Sequence, residues 1–109
     1  MPQTHKVLGQ VNTAATTLTT LYTVPSSTQT VVSTLNVCNI GTSATTYRIA
    51  VRPTGEAIAN KHYLVYDSSI PANDSISLTL GLSLATTDIV SVYAANTNLA
   101  FSLYGVEIT

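Results

Sequence analysis

The chain has 109 residues, only 8% of them Asp, Glu, Lys or Arg, and a formal net charge of −1, whereas ordinary domains carry about 25% charged residues. Four scattered cations form no basic stripe for nucleic acid, and five acids are too few to line a cleft with tuned carboxylates. Hydroxyls must supply the surface polarity instead: Thr occurs 19 times and Ser 11 times, a balance that disfavours helix and favours pleated strand.

In chain order, residues 5–10 predict a first strand, and residues 1–12 admit a second reading as an arm lying on a neighbouring subunit. A Thr-rich connection from Asn12 to Thr20 leads into an edge strand over 17–24. The stretch 29–39 with its flank carries Val31, Val32, Leu35, Val37 and Ile40, apolar at both parities. Over 44–52, Tyr47, Ile49 and Val51 alternate with Arg48 and Arg52, which puts both arginines on a solvated face. Residues 54–61 form the longest loop, with room for one helical turn. A short strand over 62–67 places Tyr63 and Tyr66 at opposite parity. The clearest alternation follows at 74–83, where Ile76, Leu78, Leu80, Leu82 and Leu84 are separated by Ser77, Thr79, Gly81 and Ser83. Ile89, Val90, Val92 and Tyr93 fill a strand over 88–95. The last strand, 99–108, sets Leu99, Phe101 and Leu103 on one side and Tyr104, Val106 and Ile108 on the other. Pro, Gly, Asn and Asp punctuate these runs at sandwich spacing. The expected fold is all-β: one domain over 1–109, an antiparallel, jelly-roll-like β-sandwich of about eight strands.

Catalytic and metal chemistry find little material. No pair among His5, His62, Cys38 and the acids has zinc-ligand spacing. Cys38 is the single cysteine, so no internal disulfide forms, and in a β stretch it reads as a small buried hydrophobe. There is no nucleophile elbow and no phosphate-cradling glycine loop. No cofactor or metal is expected, and the chain is expected not to be an enzyme. Asp67 and Asp74 bracket a Pro-containing turn and read as caps for backbone amides. Gly81 and Gly105 stand inside strands, where glycine marks a bulge or a close backbone approach. Tyr63 and Tyr66 read either as a sugar or receptor platform or as edge packing or burial at a subunit interface, with the second reading favoured. No signal peptide and no membrane-spanning run is expected, which points to synthesis in a cytoplasm. A surface this poor in charge does little to keep copies apart, and strands apolar on both faces need a second cover. The expected interface residues are therefore Val7, Leu8, Val31, Val32, Leu35, Val37, Tyr63 and Tyr66.

The segments Lys-Val-Leu-Gly-Gln-Val (6–11), Ala-Ala-Thr-Thr-Leu-Thr-Thr-Leu-Tyr-Thr-Val-Pro (14–25) and Val-Val-Ser-Thr-Leu-Asn-Val-Cys-Asn (31–39) stand in this order. They are followed by Thr-Tyr-Arg-Ile-Ala-Val-Arg-Pro (46–53), Lys-His-Tyr-Leu-Val-Tyr-Asp (61–67) and Thr-Asp-Ile-Val-Ser-Val-Tyr-Ala (87–94). Together they resemble a group of short proteins encoded among the virion genes of tailed bacteriophages, cyanophages included. The resemblance implies a structural protein of the virion with no catalytic residues, made in the host cytoplasm. With the low charge, it leads to a capsid decoration or cement protein that stabilises the shell. Its expected partners are its own copies, a trimer first, and other virion proteins such as the major capsid protein. The alternative is a tail, collar or baseplate component, with a host-surface glycan as a further partner.

Overall fold

The computed structural model describes residues 3–109, with the side chain of Leu80 outside the described set. Eight strands form in order: β1 (Gln3–Asn12), β2 (Thr19–Thr23), β3 (Gln29–Asn39), β4 (Thr45–Arg52), β5 (Tyr63–Ile70), β6 (Ser75–Leu84), β7 (Ile89–Ala94) and β8 (Leu99–Ile108). Two short 3₁₀ turns, Pro53–Gly55 and Asn60–His62, occupy the long loop. The Thr-rich segment before β2 is a connection to an edge strand. The stretch read as either strand or arm is a strand of this chain's own sheet from Gln3 onward, antiparallel to β8, while Met1 and Pro2 lie outside the described residues.

The pairing is that of a long hairpin rolled onto itself. β1 pairs with β8, β2 with β7, β3 with β6 and β4 with β5, all antiparallel. Added pairings of β3 with β8 and of β4 with β7 complete two four-stranded sheets, β1-β8-β3-β6 (sheet I) and β2-β7-β4-β5 (sheet II). This is the jelly-roll arrangement of an antiparallel sandwich. The inner faces meet over Val32, Leu35, Val37, Phe101 and Leu103 from sheet I and Leu21, Tyr47, Ile49, Val90 and Val92 from sheet II. β-branched and aromatic side chains fit this pleated interior.

Bulges decide which residues face inward. In β3, Val32 opposes Gly105 while Thr34 opposes Tyr104, so Ser33 is an extra residue. In β5, Ala50 opposes Tyr63 but Ile49 opposes Val65, so Leu64 is extra; Asp67 is extra between the pairs at Val65 and Ser68. Each insertion flips the alternation beyond it. Gly81 and Gly105 have the roles expected of them. Gly81 sits at a register shift of β6 with φ +60°. A Cβ on Gly105 would lie 2.2 Å from the Val31 carbonyl oxygen, a close approach that only glycine allows.

Two polar arrangements tie the layers. The Tyr22 hydroxyl, carried on sheet II, donates to Glu107 Oε2 on sheet I at 2.6 Å and stands 2.8 Å from Thr30 Oγ1. Because the phenol proton goes to the carboxylate, the Thr30 hydroxyl donates to the phenol oxygen. The buried Asn39 amide donates to the carbonyls of Ser43 (2.9 Å) and Pro71 (3.1 Å), and its oxygen accepts from the Gly41 N–H at 2.9 Å. It thereby fixes the β3–β4 and β5–β6 connections against each other.

Candidate functional site

The sandwich has two outer faces, and the expected interface residues divide among three places. Val32, Leu35 and Val37 are fully buried in the core, at 0% exposure, and are corrected from interface to core residues. The cause is the Ser33 bulge: it turns a stretch that reads as apolar on both faces into one with a single inward row and only Val31 outside. Val7 and Val31, at 48% and 41% exposure, lie on the outer face of sheet I. Leu8 is the extra residue of a β1 bulge and packs against the core edge. Tyr63 and Tyr66 lie on the outer face of sheet II, the opposite side of the molecule. They share that face because the Leu64 insertion cancels their difference in parity, and their ring centroids are 5.0 Å apart.

The outer face of sheet I carries no carboxylate, ammonium or guanidinium among the described residues. Its rows follow from the register with the core. β8 contributes Ala100, Ser102, Tyr104, Val106 and Ile108; β3 contributes Gln29, Val31, Thr34, Asn36 and Cys38. β1 adds His5, Val7, Gln10 and Asn12, and β6 adds Ser75, Ser77, Thr79 and Ser83. Val31 pairs with Val106, and Val7 with Tyr104, itself 37% exposed, so the apolar side chains gather on adjacent strands. Around them, amides and hydroxyls bond across strands: Asn36 Nδ2 donates to Ser77 Oγ at 2.9 Å, and Gln10 Nε2 to Ser102 Oγ at 3.3 Å. Cys38 is half-buried here on the outside, not within the core as expected from its strand. Tyr104 and Val106 belong to this face although they were not among the expected interface residues; their parity opposite Phe101 and Leu103 was the available signal.

The outer face of sheet II is different in kind. Arg48 and Arg52 both lie on it, as alternation predicts. The Arg48 guanidinium carbon is 4.2 Å from the ring centroids of both Tyr66 and Tyr93. Its Nε donates to Asp67 Oδ1 at 2.7 Å and its Nη2 to Oδ2 at 3.3 Å. The bulge makes this possible: Arg48 faces two β5 residues at once, and Asp67 adopts φ +52° to present its carboxylate. The hydrogen bond from Arg48 holds the Asp67 carboxyl below the usual carboxylate range and pushes the guanidinium up. Asp67 is thus an ion-pair partner rather than the cap expected of it, whereas Asp74 caps as expected and accepts the Ser75 N–H at 2.8 Å. Beside the pair, Tyr63 and Tyr66 stand at 83° to each other. With Asn60 they line a groove of about 460 Å³.

The remaining acids are each engaged separately. Asp88 accepts the N–H groups of Ala85 and Thr54 at 2.9 Å each. Glu56 bonds His62 Nε2 at 3.2 Å, while His62 Nδ1 accepts the Ala59 N–H at 3.0 Å. Glu107 serves Tyr22 and Lys6, and these hydrogen bonds, that from Tyr22 first, hold its carboxyl below the ordinary range. Among the described residues, no three of His, Cys, Asp and Glu converge as a metal-holding group.

Compared with known proteins, the sequence matches no family model, and no curated protein matches it. Fold and surface define the class: an eight-stranded antiparallel β-sandwich of jelly-roll topology with one uncharged and one aromatic–arginine face.

Proposed function

We propose that the chain is a structural protein of a bacteriophage virion, a capsid decoration or cement protein that stabilises the shell without catalysis. The observation that carries this reading is the outer face of sheet I, which among the described residues has no carboxylate, ammonium or guanidinium and exposes Val7, Tyr104 and Val31 on the adjacent strands β1, β8 and β3. Burying charge against a partner costs far more than burying hydroxyls and amides that find hydrogen-bond partners across the seam, and aliphatic groups gain by leaving water. A specific interface takes about 800 Å² from each partner. A four-stranded face with strands of about 10 residues, spaced about 4.8 Å and rising about 3.3 Å per residue, offers most of that area. The function is passive: each copy bridges neighbouring shell subunits, and the area buried at their seams opposes internal pressure. The resemblance to short phage virion proteins and the low overall charge support the same reading. The chain is then synthesised in the host cytoplasm, assembles as a homo-oligomer, a trimer first, and meets the major capsid protein.

Imaging the native particle tests this reading. Density for the sandwich on the shell, with sheet I facing inward, is the expected result; a shell without the domain refutes it. Val31→Lys places an ammonium on the face at an already exposed position. It should leave the fold intact and abolish binding to particles that lack the protein. A tail, collar or baseplate position is the second reading, favoured by the exposed aromatic corner at Tyr63 and Tyr66. Copy number per particle separates the two, tens for a tail component and hundreds for a shell component.

A further inference from the structure

We infer that the corner formed by Tyr63, Tyr66 and Asn60 is a binding site for a neutral carbohydrate. It lies on sheet II, away from the proposed assembly face, and does not depend on the assembly reading. Four observations select the ligand class. The groove of about 460 Å³ falls within the span of small-molecule sites, about 300–1,000 Å³, and only three residues line it. Among the described residues no charged side chain lines it, because its walls are two phenols and a carboxamide. The nearest guanidinium, Arg48, is covered by Tyr66 and Tyr93 and held in two hydrogen bonds by Asp67, so it is not free to receive a phosphate or carboxylate. Finally, β5 is an edge strand, but its insertions at Leu64 and Asp67 break the regular backbone row that an added peptide strand would require.

What remains is a ligand with apolar C–H faces and a rim of neutral hydroxyls. A pyranose ring has both. Its C–H face packs on a phenol ring, whose face carries the negative end of the quadrupole, and its hydroxyls reach the Asn60 amide and the phenol oxygens. The corner is also ordered before a ligand arrives. Arg48, clamped by Asp67, fixes the Tyr66 ring from one side, and the perpendicular Tyr63 ring fixes its neighbour. A site that need not lose side-chain freedom on binding keeps more of its contact energy as affinity.

The test uses the full chain and amide chemical shifts. The probes are cello-, malto-, manno- and chitohexaose, with a sialylated and a sulfated oligosaccharide as anionic comparators, each at about 10 mM, enough to saturate a millimolar site. The expected result is a saturable shift at residues 60–66 for at least one neutral probe. Tyr66→Ala, at a position 57% exposed, should weaken it about tenfold or more, whereas Tyr66→Phe, which keeps the ring, should retain most of it. Asn60→Ala, also exposed, should weaken binding without touching the rings. The spectrum outside the corner reports that each variant is folded. Absence of a saturable shift with every neutral probe overturns the proposal. So does binding by the anionic probes alone, or binding that survives Tyr66→Ala and Asn60→Ala unchanged. Val31→Lys should have no effect here, so failure of this site and failure of the assembly face are told apart.

Discussion

Replacing Tyr22 with Phe tests the tether between the sheets. The substitution keeps the ring and removes the donor to Glu107 at 2.6 Å and the acceptor for Thr30 at 2.8 Å. Glu107 keeps only Lys6, at 3.0 Å from a half-exposed ammonium. A hydrogen bond to a charged group contributes about 1.5–3 kcal/mol, so the expected loss at neutral pH is about 2 kcal/mol. With 109 residues and an unfolding entropy of about 2.1 cal/mol/K per residue, that lowers Tm by about 9 °C. The pH dependence carries the sharper test. The Glu107 carboxyl is held below its ordinary value in the fold. Its contribution is present above the unfolded carboxyl pKa and is lost as pH falls through the folded one. In acid the bond becomes neutral, and the penalty of Tyr22→Phe should shrink to about 1 kcal/mol or less. Burial, and then the bond to Glu107, push the Tyr22 phenol from 10.0 up to about 12. Its contribution is therefore complete below about pH 10 and is lost as pH rises toward 12. The Phe variant should lack this alkaline loss. Urea unfolding at acid, neutral and alkaline pH measures all three. A neutral-pH loss under about 0.5 kcal/mol, or one unchanged in acid, refutes the tether.

Two further substitutions separate the roles of the strand glycines. Gly105→Ala drives a methyl group to 2.2 Å from the Val31 carbonyl and should cost about 3 kcal/mol in urea unfolding, the upper end of the usual cost of overpacking, because backbone rather than a flexible side chain must give way. Gly81→Ala meets no atom within 4 Å and carries only the strain of φ +60°, so about 1 kcal/mol is expected. Asn39→Ala strands the Gly41 N–H and three carbonyls in a site 1% exposed. A loss of about 3 kcal/mol is expected, with the earliest amide exchange at the β3–β4 and β5–β6 connections.

The strands were legible because each has a run of β-branched or aliphatic residues bounded by turn chemistry, and all eight appear within a few residues of the predicted spans. β6 and β8 alternate so cleanly that their inward rows also followed from the sequence, apart from the side chain of Leu80, which is outside the described set. The faces of β3 and β5 did not. A bulge is one extra residue with no strong residue signature: Ser33, Leu64 and Asp67 are chemically ordinary in these positions. Yet each reverses parity for the rest of its strand. That is why Val32 and Val37 moved from interface to core and why Tyr63 met Tyr66. The Arg48–Asp67 pair was illegible for the same reason, since it needs the bulge to bring the carboxylate beside the guanidinium.

The bulges also explain how a nearly uncharged chain acquires two unlike sides. A net charge of −1 could arise from an even scatter, and then neither face would differ from the other. Instead both arginines sit on sheet II, Asp74 and Asp88 cap turns, and Lys61 and Glu56 lie in the long loop. Lys6 and Glu107 pair where β1 meets β8, Glu107 belonging to the inward row that reaches Tyr22. Among the described residues the outer face of sheet I is left without carboxylate, ammonium or guanidinium, and the Ser33 insertion is what puts Val31 rather than Val32 upon it. If that face is covered by a shell, the sandwich geometry turns sheet II outward, since the two outer faces point in opposite directions. The same orientation that buries Val7, Val31 and Tyr104 presents Tyr63, Tyr66 and Asn60 to the surroundings. Assembly and ligand binding then use different strands and different chemistry, so a substitution on either face should leave the other function intact.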